Sequence, residues 1–170
     1  MANTYVQIGS TVTVGAGGAS SIDFSSIPAT YTDLVLKIST RVNQIVGSYL
    51  QFNGSASGYS ERLLYGTGSS AASANTSGTI LNWGFLTNTS STTANTFSNS
   101  ELYIPNYAGS TNKSISSDSV TENNATASDI YVNAGLWSNT AAINRITLYP
   151  SGSAVFVQYS TASLYGIKNS

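Results

Sequence analysis

The sequence predicts an all-β protein, an antiparallel β-sandwich of jelly-roll type, on three observations. Helical periodicity is almost absent from its 170 residues. Runs rich in Val, Ile, Thr, Tyr and Phe recur along the whole chain, separated by Gly, Ser, Asn and Pro, which is the pattern of short strands joined by turns. The clearest runs alternate apolar with polar residues, as a strand with one buried face does. Half-buried strands linked by turns pack as antiparallel sheets face to face. The length suits a jelly roll better than an immunoglobulin-type sandwich of roughly 100 residues.

Taken in order, Tyr5–Ile8 and Thr11–Val14 read as the first strands. The glycines of Gly15-Ala-Gly17-Gly18 turn the chain into Ser21–Phe24. Leu34–Arg41 is the plainest strand, with Leu34, Leu36 and Ile38 inward and Lys37, Ser39 and Arg41 outward. Ser48–Asn53 follows and stops at the turn pair Asn53-Gly54. Tyr59 to Tyr65 is the best helix candidate but is too short to stand alone; its second half, Arg62–Tyr65, reads as a strand. Two small, polar stretches, Ser69–Ser77 and Thr87–Asn95, read as long loops on either side of a strand at Thr79–Phe85. Ser100–Ile104 and Lys113–Val120 come next. In Ile130–Trp137 the aliphatics Ile130, Val132 and Leu136 are read as the core face, opposite Tyr131, Asn133 and Trp137. Asn144–Tyr149 places Ile146 and Leu148 inside against Arg145 and Thr147 outside; Ser151-Gly152 turns into Ala154–Tyr159, and Ser163–Ile167 closes the chain. Pro28, Pro105 and Pro150 fall at strand ends, where a missing N–H does little harm. No shift in composition divides the chain, so residues 1–170 are expected to form a single domain.

Charge limits the chemistry. Only 8% of residues are charged, six Lys+Arg and seven Asp+Glu, with no His and no Cys. So few cations build no basic stripe, and nucleic acid is not an expected partner. No zinc, haem or iron–sulfur site of ordinary type, no thiol nucleophile and no Ser–His pair can be assembled. Nothing titrates between about pH 5 and 8. The few charges are expected on outward positions such as Lys37, Arg41 and Arg145, leaving a core that needs none and an exterior of Ser, Thr, Asn and Gly. The start of the chain has no basic, then apolar, leader, and no stretch approaches 18 apolar residues. A membrane is therefore not expected as a partner, and synthesis in a cytosol with release by lysis fits.

Candidate sites are sparse. Asp118, Glu122, Asn123, Asn124 and Asp129 form one acidic cluster whose spacing does not match a calcium loop, so a solvated loop is the simpler reading. Glu61, Glu101 and Asp118 are the carboxylates a polysaccharide-cleaving enzyme would have to use, and none sits in a catalytic motif. No enzymatic activity and no cofactor are expected. The five Asn-x-Ser/Thr triplets match what chance gives in so Asn-, Ser- and Thr-rich a chain. The aromatics Trp83, Tyr103, Tyr107, Tyr131 and Trp137 are read at outward or strand-end positions. Packing inside the chain is the first reading for them, ahead of a subunit interface and then a stacked glycan.

Several stretches resemble a family of structural proteins from tailed bacteriophages, especially marine and cyanobacterial ones. They are Tyr5-Val-Gln-Ile, Phe24-Ser-Ser-Ile-Pro-Ala-Thr-Tyr-Thr-Asp-Leu-Val-Leu, Tyr59-Ser-Glu-Arg-Leu-Leu-Tyr-Gly, Tyr103-Ile-Pro-Asn-Tyr-Ala-Gly-Ser-Thr-Asn-Lys and the closing Leu164-Tyr-Gly-Ile. The resemblance rests on the whole pattern and carries over no active-site residue. It implies a β-sandwich component of the virion, on the capsid or in a tail appendage, assembled in the host cytoplasm and freed by lysis. The expected role is capsid decoration (cement) or head-surface protein, packed non-covalently on the major capsid protein as a homo-oligomer. The alternative is a receptor- or glycan-binding module of a tail fibre or spike.

Overall fold

The computed structural model describes residues 4–82, 84–124 and 128–168. The described residues form eleven strands and no helix. They are β1 (Thr4–Thr13), β2 (Ile22–Phe24), β3 (Asp33–Ser39), β4 (Ser48–Phe52), β5 (Tyr59–Gly66), β6 (Ala71–Gly78), β7 (Asn99–Ile104), β8 (Lys113–Val120), β9 (Ile130–Trp137), β10 (Ile146–Pro150) and β11 (Thr161–Lys168). An eight-stranded sheet runs β1-β11-β3-β7-β8-β9-β5-β6, and a three-stranded sheet runs β2-β10-β4. Every pairing is antiparallel. The β-sandwich read from the sequence is therefore found; its finer jelly-roll topology does not follow from sheets of eight and three strands.

The core lies between the two sheets. Leu34, Leu36 and Ile38 of β3, Leu102 and Ile104 of β7, Ala162 and Leu164 of β11 meet Ile22, Leu50, Phe52, Ile146 and Leu148 from the small sheet. Each side chain in this set is at most 2% exposed. Burying one such side chain contributes roughly 1.5–3 kcal/mol. At the Asn53-Gly54 turn both residues have positive φ, 52° and 66°, and the Asn53 side chain accepts from the Asn144 and Arg145 N–H groups. Asn and Gly are the residues that tolerate this left-handed pair.

Four sequence expectations change. The first two strands are one strand, β1, with a register shift between Ile8 and Val12. Thr79–Phe85 and Ala154–Tyr159 are not strands: Leu81 and Phe156 form only isolated bridges, to Leu50 and to Ala19 and Val42. Their apolar residues are core plugs, which the sequence pattern does not distinguish from strand residues. Ser69–Ser77 is not a loop; it supplies β6, whose residues pair one for one with β5 rather than through a buried face. The Tyr59–Tyr65 helix candidate is strand β5. By contrast, 87–95 remains a loop, held by the Arg41 guanidinium, which donates to the carbonyls of Thr92 (3.0 Å), Thr93 (2.8 Å) and Thr96 (3.2 Å).

The largest correction concerns β9. Its faces are the reverse of the expected ones: Trp137 is 1% exposed and Asn133 2%, whereas Ile130 is 54% and Val132 55% exposed. The strand carries apolar residues on both faces, so alternation alone does not choose the inner one. Trp137 chooses it by packing on Phe52 at 5.6 Å and stacking on Tyr59 at 6.2 Å. The inward Gly135 leaves room for Leu81, whose Cδ2 would lie 3.1 Å from an added Cβ.

This assignment makes a prediction opposite to the hydropathy reading. Trp137→Ala is expected to destabilise the fold by about 3–5 kcal/mol, and Val132→Thr to change it by no more than about 0.5 kcal/mol. Urea unfolding of the two variants checks the difference.

Candidate functional site

The two faces of the large sheet differ. The inner face meets the small sheet; no described element covers the outer one. At one end of the outer face, Tyr5 and Tyr165 approach edge to face at 6.2 Å. Nearby, the Tyr103 hydroxyl donates to Asp33 Oδ2 at 2.8 Å and the Asn106 N–H donates to Asp33 Oδ1 at 2.9 Å. The Asp33 carboxylate, acting first through the hydrogen bond, raises the Tyr103 phenol pKa. Lys37 and Glu101 pair at 2.8 Å on the same face. That pairing offsets a like-charge contact, since Glu101 stands opposite Asp118 in the β7–β8 register.

Past β8 the face becomes aliphatic. Val132 sits between Leu64 and Asp118 in the register, and Ile130 between Gly66 and Val120. Leu64 is 59% exposed, comparable to Ile130 and Val132. Single exposed aliphatics are common on folded proteins; here three branched ones lie side by side. Tyr103 and Val132 border one shallow depression of about 250 Å³, with Glu101 and Asp118, so the two ends of the face are continuous.

A second feature lies on the inner side, beyond the reach of the small sheet. A cleft of about 470 Å³ opens between the β4 edge (Ser48, Tyr49), Thr76 of β6, Tyr131 of β9, and Asn82, Phe85, Leu86 and Thr87. Its described lining carries no charged side chain. Tyr49 is braced by Tyr149 at 5.7 Å and Tyr131 by Tyr65 at 5.7 Å. The buried Ser48 hydroxyl has no hydrogen-bond partner among the described residues. Below the cleft the Glu61 carboxylate, 1% exposed, accepts from the Asn82 N–H at 2.7 Å and the Asn133 side-chain amide at 3.0 Å. It fixes the position of Asn82 at the cleft.

The aromatic candidates do not converge. Tyr103 lies on the outer face and Tyr131 in the cleft wall. Tyr107 and Trp137 are 0% and 1% exposed, so their expected outward positions are corrected to core positions. Tyr107 is drawn in because its hydroxyl donates to the Pro28 carbonyl. Trp83 lies outside the described residues. Glu61 is on the inner face and Glu101 and Asp118 on the outer one, so the three carboxylates do not form one site. Glu122 binds its own loop through the Asn124 N–H (2.8 Å) and Ser128 hydroxyl (3.0 Å). Among the described residues no three acidic side chains gather around a common point.

The expectation of a charge-free interior is also corrected. Lys113 is 0% exposed. Its ammonium donates to the carbonyls of Gly109 (2.6 Å), Thr111 and Thr140 (3.4 Å), closing two loops at once. Desolvation lowers its pKa. Leu64, Val132, Tyr49 and Asn82 were not read as functional from the sequence. Only the adjacency Leu63-Leu64 carries a signal, because neighbouring strand residues cannot both face the core.

Burial pushes the Tyr59 phenol up to about 12, and raises those of Tyr107, Tyr131 and Tyr149 in the same direction. Above about pH 10 the unfolded chain loses these protons first, so the folded state binds more protons and its stability falls as pH rises. The melting temperature is expected to stay level from about pH 5 to 8 and to decline above about pH 10. Phenolate absorbance in the same titration is expected to rise with unfolding; full tyrosine ionisation in a still-folded protein would contradict it.

The chain finds no match among protein-family models, curated proteins or solved structures.

Proposed function

We propose that this chain is a structural protein of a bacteriophage virion, a capsid decoration or head-surface protein that packs non-covalently on the major capsid protein. The observation that carries this reading is the uncovered outer face of the large sheet, with Leu64, Ile130 and Val132 each more than half exposed. A face of this kind is stable in water but gains from being covered. The few charges support the same reading, because a surface with thirteen charged residues and net charge −1 tolerates close neighbours of either sign. Steering of nucleic acid or of a charged substrate has no support in this surface. The segments resembling tailed-phage structural proteins supply the setting: assembly in the host cytoplasm and release by lysis.

Leu64→Thr/Val132→Thr keeps β-compatible side chains at exposed positions while removing the aliphatic surface. Particles assembled with this variant are expected to carry the chain at one tenth of the wild-type occupancy or less, as loss of two interface anchors worth about 1 kcal/mol each implies. Quantitative mass spectrometry of purified virions and cryo-EM of the head check this. Density confined to the tail, or unchanged occupancy of the variant, would overturn the reading.

A second reading, a receptor- or glycan-binding module of a tail fibre or spike, is favoured by the cleft. Half-exposed tyrosines, amide and hydroxyl groups and no charge are what a neutral saccharide recognises. On a glycan array the wild-type chain would then bind neutral oligosaccharides and Tyr131→Ala would lose at least tenfold in affinity, with Leu64→Thr unaffected. Absence of any binding by the wild-type chain removes this reading.

A further inference from the structure

Four strand edges border the two sheets, and three of them are closed. On β1 the register shift between Ile8 and Val12, with Gly9 at φ 71°, breaks the line of backbone groups. On the small sheet, β2 is three residues long and carries Asp23, paired with Arg145 at 2.7 Å. The free side of β4 is occupied at its centre by Leu81, which exchanges two backbone hydrogen bonds of 3.1 Å with Leu50. Bulges, short charged strands and covering segments are the devices by which proteins prevent edge-to-edge pairing.

β6 has none of them. It is the terminal strand of the large sheet and pairs with β5 over all eight residues, from Tyr59↔Gly78 to Gly66↔Ala71, without a register shift. Among the described residues no other segment makes a backbone hydrogen bond to Ala71–Gly78. The sequence Ala-Ala-Ser-Ala-Asn-Thr-Ser-Gly contains no charge, no proline and no side chain larger than Asn. Such a strand admits close approach along its whole length.

We propose that β6 pairs antiparallel with β6 of a second copy, forming a two-fold dimer in which the two large sheets become one continuous sheet. The strand's chemistry selects its own copy. Antiparallel pairing about a two-fold axis sets identical segments against each other, and like charges at such a seam would repel. β6 brings none, and the net charge of −1 leaves the two copies little long-range repulsion. The axis stands perpendicular to the sheet, so both aliphatic outer faces lie on one side of the dimer. The proposal does not depend on where in a particle the chain sits.

Sedimentation and light scattering from about 1 to 100 μM are expected to show a dimer. Asn75→Lys, which places two ammonium groups at the seam, is expected to weaken it tenfold or more, while Ser114→Lys on the outer face of β8 leaves it unchanged. Because the chain has no cysteine, single Cys variants at each position from Ala72 to Ser77 report the seam directly. Oxidation is expected to cross-link the position on the two-fold axis far more than the others, and circular dichroism verifies that each variant is folded. A monomer at every concentration, a dimer indifferent to Asn75→Lys, or no cross-link at any of these positions would overturn the proposal.

Discussion

The placement of Trp137 is the constraint on which the rest of the structure depends. Its ring fills the junction where β5, β9 and the small sheet meet, against Phe52 and Tyr59. Among the described residues the indole N–H has no acceptor, and the ring is held by packing on its aromatic neighbours. Once Trp137 points inward, the two-residue period of the strand fixes everything else on β9. Asn133 and Tyr131 must follow it inside, and Ile130 and Val132 must face out. The aliphatic outer surface and the polar inner cleft are two results of the same choice.

Buried polar groups complete what the aromatics begin. Beyond the small sheet Leu81 and Asn82 lie against the inner face, and Glu61, Asn133, Ser117 and Ser119 are buried there. Glu61 is tolerable there because two N–H donors meet its carboxylate, and an anion so bonded resists desolvation better than a bare one. Asp33 plays the corresponding part on the outer face, tying Tyr103 to the chain after β7. Lys113 ties the carbonyls of two loops to one ammonium group. The protein uses its few charges as local fasteners rather than as a solvated coat.

The parts of the fold legible in the sequence are those buried on one side only. Leu34, Leu36 and Ile38, and likewise Ile146 and Leu148, alternate with polar residues and lie where the pattern puts them. Ile130 and Val132 are misread because their strand is apolar on both faces and the deciding contact comes from Phe52 and Tyr59, far away in sequence. β6 is illegible for another reason: it is ordered by its partner strand, and its small polar residues carry no burial signal. Leu81 and Phe156 have the composition of strand residues but serve as plugs, a distinction set by tertiary position. Of the site, Tyr103 and Tyr131 were legible as single residues. Their surroundings were not, because a cleft between β4, β6 and β9 is a property of the sheet order.

The position of β11 has a consequence for how the molecule forms. The latest in sequence of the eleven described strands lies between β1 and β3, with Thr4 opposite Lys168 and Leu36 opposite Leu164. Until it emerges from the ribosome, β3 has an open flank and β1 has no partner in the sheet. Pairing strands as far apart in sequence as β1 and β11 is slow compared with forming a local hairpin. The hairpins of β5 with β6 and of β7, β8 and β9 therefore have time to form first, and insertion of β11 is the step that completes the core. A nascent chain truncated before Thr161 would expose the flank of β3, a hydrophobic strand edge with a strong tendency to aggregate. In a cell making many copies at once, the interval between the emergence of β3 and that of β11 is when this protein is most vulnerable.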